Sequence, residues 1–412
     1  MSELLNYRYP PILPAGSGIS ANNEQWHSTL PLNGYTFRSD NTASVVFNIA
    51  SNSEFLRTTQ SFLTGKLTPY AADNSIVTTG TANSWQGVSR AFSRMQIKVG
   101  GVVVEDLQYY SDLLALYYSG TSQNKRSLLG RMEGFGKTDW FTAGPKKFAH
   151  AIMSSLWISD QSLPLPLIQS SGGVTIELFL APASELFTSS NVAYYTLEPQ
   201  MKWLGVTPDP AFTISLISAV KNAGKSAYIP YQKVHFYPSA GNGSSTQNIN
   251  VAVGQVSSIA GIQTVFMNEA DLNDRTKDKY GKFSSAGLID YRIEGAGQNN
   301  PSQLTFKHEG GADPETLLLA AISQTGNIYN IDQDMDQTDD FATYNFRIAL
   351  TFQSDNEHFA TGLSTLAASS PFLTITTTHS APVPGTTRIL SIVTCDALIE
   401  FRGSEIAVSE VF

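Results

Sequence analysis

Short stretches in which apolar and polar residues alternate recur along the whole chain. In one of them Val174, Ile176, Leu178 and Leu180 face one way and the intervening residues face the other. This two-residue period is typical of a half-buried β-strand. Similar patterns occupy residues 45–49, 92–99, 102–104, 194–206, 234–237, 248–253, 261–266, 346–352, 371–377 and 387–401. The pattern therefore predicts an all-β protein.

Glycines and prolines mark the predicted turns and helix ends. The pair Gly100-Gly101 separates two strand patterns and can supply the positive φ angles of a tight hairpin. Residues 211–222 have the spacing of a short amphipathic helix, with Asp209 as its N-cap and Pro210 at the first helical position. We therefore expect a hairpin at the glycines and a helix after the proline.

The same succession of short strands and polar loops occurs twice, which predicts two β-sandwiches in tandem with short helices in the loops. We expect an irregular apolar arm at residues 1–30, a first jelly roll at 31–206, a linker helix at 207–225 and a second jelly roll at 226–412. A further capped helix is predicted at residues 313–322. The arm could pack on another subunit or fold back on its own domain.

Composition changes the picture in two ways. Only 15% of the residues are charged, so much of the surface must be neutral and polar, which suits wide contacts between subunits. The net charge is −9, and the basic pairs Lys125-Arg126 and Lys146-Lys147 are isolated. An acidic chain gains nothing from counterion release, so direct or sequence-specific nucleic-acid binding is not expected.

The single cysteine, Cys395, excludes a disulfide within the chain and any zinc site built on several cysteines. It lies in an apolar strand pattern, where a buried and inert thiol is expected. The first residues lack the basic and apolar regions of a signal peptide, and no apolar run is long enough to span a membrane.

No common catalytic or metal motif is found, so we expect no enzymatic activity, no cofactor and no catalytic, cofactor-binding or metal residues. No two histidines have the short spacings of usual metal sites, and His235 is interpreted as a packed or surface residue. Glycoside hydrolysis needs paired carboxylates, for which Glu105-Asp106 and Glu269 with Asp271 are only weak candidates.

One acidic loop resembles the start of a calcium-binding loop. Asp332, Asp334 and Asp336 match its first three ligand positions, but Gln337 and Thr343 replace the required glycine and glutamate. An EF-hand is therefore excluded. A solvated acidic loop and a calcium site that bridges loops both stay open for residues 332–340.

Four stretches together resemble one viral protein family. They are residues 47–63, 87–110, 283–301 and 314–323. The second combines a strand–glycine turn–strand unit with the acidic pair Glu105-Asp106 and the tyrosine pair Tyr109-Tyr110. In order and spacing they are similar to the double-jelly-roll major capsid proteins. That lineage joins the adenovirus hexon with the capsid proteins of tailless membrane-containing phages, virophages and polinton-like viruses.

The resemblance implies a structural role in the virion. Homotrimers of pseudo-hexameric outline would tile an icosahedral shell around a DNA genome. Partners would be neighbouring capsomers and vertex and minor capsid proteins, and contact with an internal membrane stays open. Loops at residues 239–247 and 271–282 would form exposed towers. The alternatives are a carbohydrate- or receptor-binding jelly-roll surface protein, a minor capsid protein of the same virus and a glycoside hydrolase.

Overall fold

A computed structural model describes most of the chain. The described residues are 21–42, 44–78, 87–119, 128, 130–134, 140–141, 144–158, 162–269, 274–275, 283–295, 304–307, 346–352, 362–366 and 372–410. They form two compact units, each drawn from separate segments of the sequence. The first takes Met1–Ser111, Leu129–Lys233 and Ala397–Ser409, and the second takes Asp112–Leu128, Val234–Asp396 and Glu410–Phe412.

Strands make up most of the described elements. In chain order they are β1 (Ala21–Thr29), β2 (Phe37–Arg38), β3 (Ser44–Ile49), β4 (Phe55–Tyr70), β5 (Phe92–Val99), β6 (Val102–Leu107), β7 (Lys146–Ala151), β8 (Ser162–Pro164), β9 (Val174–Leu180), β10 (Tyr194–Pro208), β11 (Ser226–Ala240), β12 (Thr246–Ala252), β13 (Ile259–Asn268), β14 (Leu288–Gly295), β15 (Leu304–Lys307), β16 (Ile348–Thr351), β17 (Phe372–His379), β18 (Thr387–Arg402) and β19 (Glu405–Ser409).

The helices are short. They are α1 (Tyr110–Ser119), α2 (Ser155–Ile158), α3 (Leu165–Ile168), α4 (Ala183–Leu186) and α5 (Pro210–Ile217). Single 3₁₀ turns lie at Gly87–Ala91 and Gln169–Ser171, and α5 continues into a π-helical turn at Ser218–Asn222. The prediction of an all-β fold with short helices in the loops is confirmed.

The first unit contains a six-stranded and a four-stranded antiparallel sheet. The larger sheet has the order β1-β10-β4-β7, with β2 also paired to β10 and β8 to β4. The smaller sheet has the order β3-β9-β5-β6. In β3 the side chains of Val45, Phe47 and Ile49 are buried, and their neighbours on the other face are half-buried. This alternation is that of one apolar face turned to a core.

The second unit takes its strands from two further sheets, which share one core. Their orders are β11-β18-β13-β16 and β12-β17-β14-β15. Val251 of β12, Ile375 of β17, Phe266 of β13 and Val393 of β18 belong to the same buried cluster, so both sheets contribute to it. Two sheets that share a core in this way form a β-sandwich.

Two local predictions are confirmed at the level of single residues. Gly100 and Gly101 join β5 to β6 with φ angles of +57° and +83°, both in the left-handed region. Asp209 accepts a 2.8 Å hydrogen bond from the Ala211 backbone N–H, and Pro210 begins α5. The role of that helix as a linker, and the tandem boundaries at 206 and 226, stay predictions.

The expected irregular arm is wrong for its last third. Residues Ala21–Thr29 form strand β1, which pairs antiparallel with β10 from Pro208 to Met201. The prolines and glycines on which the expectation rested all precede residue 19, so nothing in Ala21–Thr29 prevents a strand. Residues 1–20, the predicted helix at 313–322 and the acidic loop at 332–340 lie outside the described residues.

Candidate assembly surface

The histidines of the described chain are separate from one another. Each hydrogen-bonds to a different neighbour: His27 to Glu54, His150 to Glu133 and Tyr110, His235 to Glu410, and His379 to Thr377. His308 and His358 lie outside the described residues. The sequence analysis did not reveal the carboxylate partners of His27, His150 and His235.

His150, one of the two buried histidines among the described residues, belongs to a polar network in the first unit. His150 contacts Glu133 through Nδ1 and the Tyr110 hydroxyl through Nε2, the latter at 3.2 Å. The Met153 N–H donates to the same hydroxyl at 3.2 Å. All three side chains are buried, and burial raises the pKa of Tyr110. Because this network has no access to solvent, we interpret it as structural.

The weak candidate pair for glycoside hydrolysis is not brought together. Glu105 is buried and accepts a 3.0 Å hydrogen bond from the Leu156 N–H at the start of α2. Asp106 is half-buried and holds Arg94 in a two-pronged ion pair at 2.6 Å. Adjacent residues of a strand face opposite ways, so these carboxylates cannot act on one bond. Asp271 lies outside the described residues.

An exposed sheet edge is the feature with the clearest capacity for binding. Strands β1 and β2 lie one after the other along the same side of β10, with Thr29 opposite Met201 and Phe37 opposite Leu197. Within the described residues β1 pairs with β10 alone, which places β1 at one edge of the six-stranded sheet.

Large apolar side chains gather at this edge. Trp26, Leu30, Leu32 and Tyr35 are all exposed, Leu32 by 67% and Tyr35 by 73%. We call these four residues the edge patch. Exposed apolar side chains are common singly, but four within ten residues, one on β1 and three in the loop that follows it, form a candidate surface for binding another protein.

Hydrogen bonds hold the loop of the edge patch in place. The Leu32 N–H donates to the Val46 carbonyl at 2.8 Å. The side-chain amide of Asn33 donates to the Ser44 carbonyl at 2.9 Å and accepts from the Val46 N–H at 3.1 Å. The loop is therefore pinned to β3, and its apolar side chains are presented in fixed positions.

An open cleft of about 540 Å³ adjoins the edge patch. Its lining includes Leu30 and Tyr35 together with Phe148, Lys66, Lys147 and Glu198. Lys147 was predicted to be one of an isolated solvated pair, and it is indeed exposed. An apolar floor with a rim of both charges suits a protein segment better than a small hydrophobic ligand.

The sequence analysis missed the edge patch. It assigned Trp26 to an apolar arm in need of a partner surface, without a strand, and it did not single out Leu30, Leu32 or Tyr35. The available signal was the presence of four large apolar residues, Trp26, Leu30, Leu32 and Tyr35, within ten positions that lack the alternation of a half-buried strand. In the described residues no helix is long and apolar enough to cross a membrane.

Comparison with known proteins finds similarity in fold and no match in sequence. No protein-family model and no curated protein sequence matches the chain. Among solved structures, VP54 of PBCV-1 superposes with a TM-score of 0.64 at 11% identity, covering 96% of this chain and 98% of that one. The Faustovirus major capsid protein gives 0.63 at 8% identity, covering 94% and 92%. The mavirus major capsid protein gives 0.50 at 10% identity, covering 99% and 95%.

These superpositions extend over both units and nearly the full length of each compared chain. At 8–11% identity they establish a common fold and leave function to be argued separately. The predicted pair of jelly rolls is confirmed, and the fold of this chain is that of the double-jelly-roll major capsid proteins.

Proposed function

We propose that this chain is a viral major capsid protein that builds a shell from copies of itself. The observation that carries the proposal is a fold shared over more than nine-tenths of the chain with the major capsid proteins of PBCV-1 and Faustovirus. The proposed location is the virion, after assembly inside the host cell. The proposed role is structural, without catalysis.

The edge patch supplies the physical reason for self-association. It combines exposed apolar side chains with the open side of β1, and both gain by burial against another subunit. A cyclic trimer uses head-to-tail contacts, in which a patch meets a different surface on the next copy. We propose such homotrimers, with six rolls and a pseudo-hexameric outline, as the units that tile an icosahedral lattice.

Further partners are proposed from the resemblance alone. They are neighbouring capsomers and vertex and minor capsid proteins. An internal membrane is a further proposed partner, for which the described residues provide no separate argument. A DNA genome would lie inside the shell without sequence-specific contact, which agrees with the net charge of −9.

Native mass spectrometry of the purified chain, joined to electron microscopy, tests the proposal. We expect trimers at micromolar concentration and particles of near-hexagonal outline. A clean monomer across the same range would contradict capsid assembly. A glycan array serves as the control for the alternative of a carbohydrate-binding surface protein, and we expect it to give no response.

A further inference from the structure

Three side chains with different metal-binding atoms meet in the second unit. His235 lies on β11, Cys395 lies on the neighbouring strand β18, and Glu410 follows β19 directly. One ligand atom of each, an imidazole nitrogen, the thiol sulfur and a carboxylate oxygen, lies within 4.8 Å of the other two. Nε2 of His235 and Oε2 of Glu410 are already 2.9 Å apart.

The spacing of these atoms suits a tetrahedral ion. Zinc bonds to sulfur, nitrogen and oxygen are about 2.0–2.3 Å long, which places ligand atoms about 3.4–3.7 Å from one another. The 2.9 Å contact and the 4.8 Å limit lie on either side of that separation. Small side-chain rotations would therefore bring the three atoms into a common coordination sphere.

The backbone around the cluster is fixed by one short segment. The Ser257 N–H donates to the Glu410 carbonyl at 2.8 Å, and the Asp396 N–H donates to the Ser258 carbonyl at 3.0 Å. Cys395 lies opposite Ile259 in the sheet register. Residues 257–259 thus hold the positions of two of the three ligands, which lowers the cost of ordering them around an ion.

Exposure differs across the cluster in the way an open zinc site requires. The Cys395 residue is fully buried, while the side chains of His235 and Glu410 are exposed by 29% and 18%. An ion could enter from the solvent side and keep a water molecule there. Three protein ligands with a fourth position for water is a common arrangement of zinc.

We propose that His235, Cys395 and Glu410 form a zinc-binding site, which the sequence analysis did not expect. The thiol of Cys395 loses its proton to solvent and the resulting thiolate donates an electron pair to Zn²⁺. His235 and Glu410 then each bind the ion, and the hydrogen bond between them is lost. The ion ties residue 410 to β11 and β18 within the second unit, so its effect is on stability.

The chemistry of the set selects zinc over the common alternatives. Calcium and magnesium prefer oxygen ligands alone, whereas a thiolate and an imidazole favour zinc and other late transition ions. The sequence analysis expected no metal-binding residues, and it interpreted Cys395 as a buried and inert thiol and His235 as a packed or surface residue. The proposal changes that interpretation of both residues and is independent of the capsid role.

The test uses the full chain, stripped of metal by a chelator and then titrated with Zn²⁺ and, separately, with Co²⁺. We expect one bound ion per chain by elemental mass spectrometry and a thiolate-to-cobalt charge-transfer band. We expect the Glu410→Gln and Cys395→Ser variants to bind at least about 10-fold more weakly, since loss of even an outer-shell partner costs 10–100-fold. The ion should also raise the unfolding temperature of the unaltered chain.

His27→Gln is the matched control. His27 contacts Glu54 at 2.7 Å with side-chain exposures of 28% and 13%, so it forms a similar pair without a cysteine. We expect zinc binding to be retained in this variant. If Cys395→Ser does not fold, Glu410→Gln decides the question because its side chain is partly exposed. Absence of stoichiometric zinc, or equal binding by Glu410→Gln and the unaltered chain, would overturn the proposal.

Discussion

The guanidinium of Arg347 donates a 3.0 Å hydrogen bond to the backbone carbonyl of Leu116, which lies 231 residues earlier in the chain. Both residues belong to the second unit, and Arg347 is almost fully buried. Burial lowers the pKa of Arg347 from 12.5 to about 10. The residue therefore stays charged at neutral pH inside an apolar region, at a considerable desolvation cost.

Because of this cost, we expect the size of the side chain at position 347 to affect stability more than its charge does. We predict that Arg347→Met keeps the unfolding temperature of the second unit or raises it, because an apolar side chain of similar length fills the space without desolvation. Arg347→Ala should lower stability by about 2–5 kcal/mol, the usual cost of a core cavity. Differential scanning calorimetry measures both. Equal losses in the two variants would show that the charge itself is needed.

The buried Glu105 predicts a pH dependence of stability. Burial raises its pKa from 4.5 to about 7, against the opposing effect of hydrogen bonds from Ser154 and Leu156. Between these two values the folded chain keeps a proton that the unfolded chain has lost. Its contribution to stability is therefore present below pH 4.5, falls as the pH rises and is lost above pH 7.

The Glu105→Gln variant removes this titration. We expect it to unfold at the same temperature as the unaltered chain at pH 4 and at a higher temperature at pH 8, with a gain of at most roughly 3 kcal/mol. Thermal unfolding followed by circular dichroism over this pH range provides the measurement. Parallel pH profiles for the two proteins would contradict the prediction.

The edge patch predicts where assembly can be broken. Leu32→Asp places a charge at an apolar contact and should weaken self-association at least about 10-fold, the effect of losing a central interface side chain. Ile214→Asp is the control, because Ile214 on α5 is also exposed by 67% but lies outside the edge patch. A dilution series by light scattering compares the variants. If both behave alike, the edge patch is not an assembly surface.

Two neighbouring glycines allow the cost of backbone strain to be measured separately from the cost of steric crowding. Gly172 and Gly173 both have positive φ angles, of +103° and +72°. A Cβ added to Gly172 would meet no atom within 4 Å, whereas a Cβ added to Gly173 would lie 2.5 Å from the Ile49 carbonyl oxygen. We predict that Gly172→Ala costs about 1–2 kcal/mol from conformation alone. Gly173→Ala should cost about 1–3 kcal/mol more from overpacking. Denaturant unfolding of the two variants measures the difference, and equal losses would refute it.

Local patterns in the sequence predicted those elements whose cause is local. The alternation from Val174 to Leu180 predicted β9, the glycine pair predicted the β5–β6 hairpin, and Asp209-Pro210 predicted the start of α5. Each depends on a side-chain period or a backbone preference that a few residues determine. The two-sandwich fold followed from counting such strands and from the family resemblance.

Features that depend on distant partners could not be predicted in this way. Strand β1 has no alternation of its own and exists because β10 lies beside it. His235 and Glu410 are 175 residues apart in sequence, so no short spacing indicates their meeting with Cys395. The position of the edge patch beside β10 is known only from the pairing partners of β1 and β2.

The division of the sequence between the two units has a consequence for folding. The first unit includes Ala397–Ser409, and β19 pairs with Leu398–Arg402 inside that segment. The first unit therefore receives its last segment only after residues up to Ser409 have been added to the chain. A chain that ends before Ala397 would lack part of the first unit, although it would contain the earlier segments Met1–Ser111 and Leu129–Lys233.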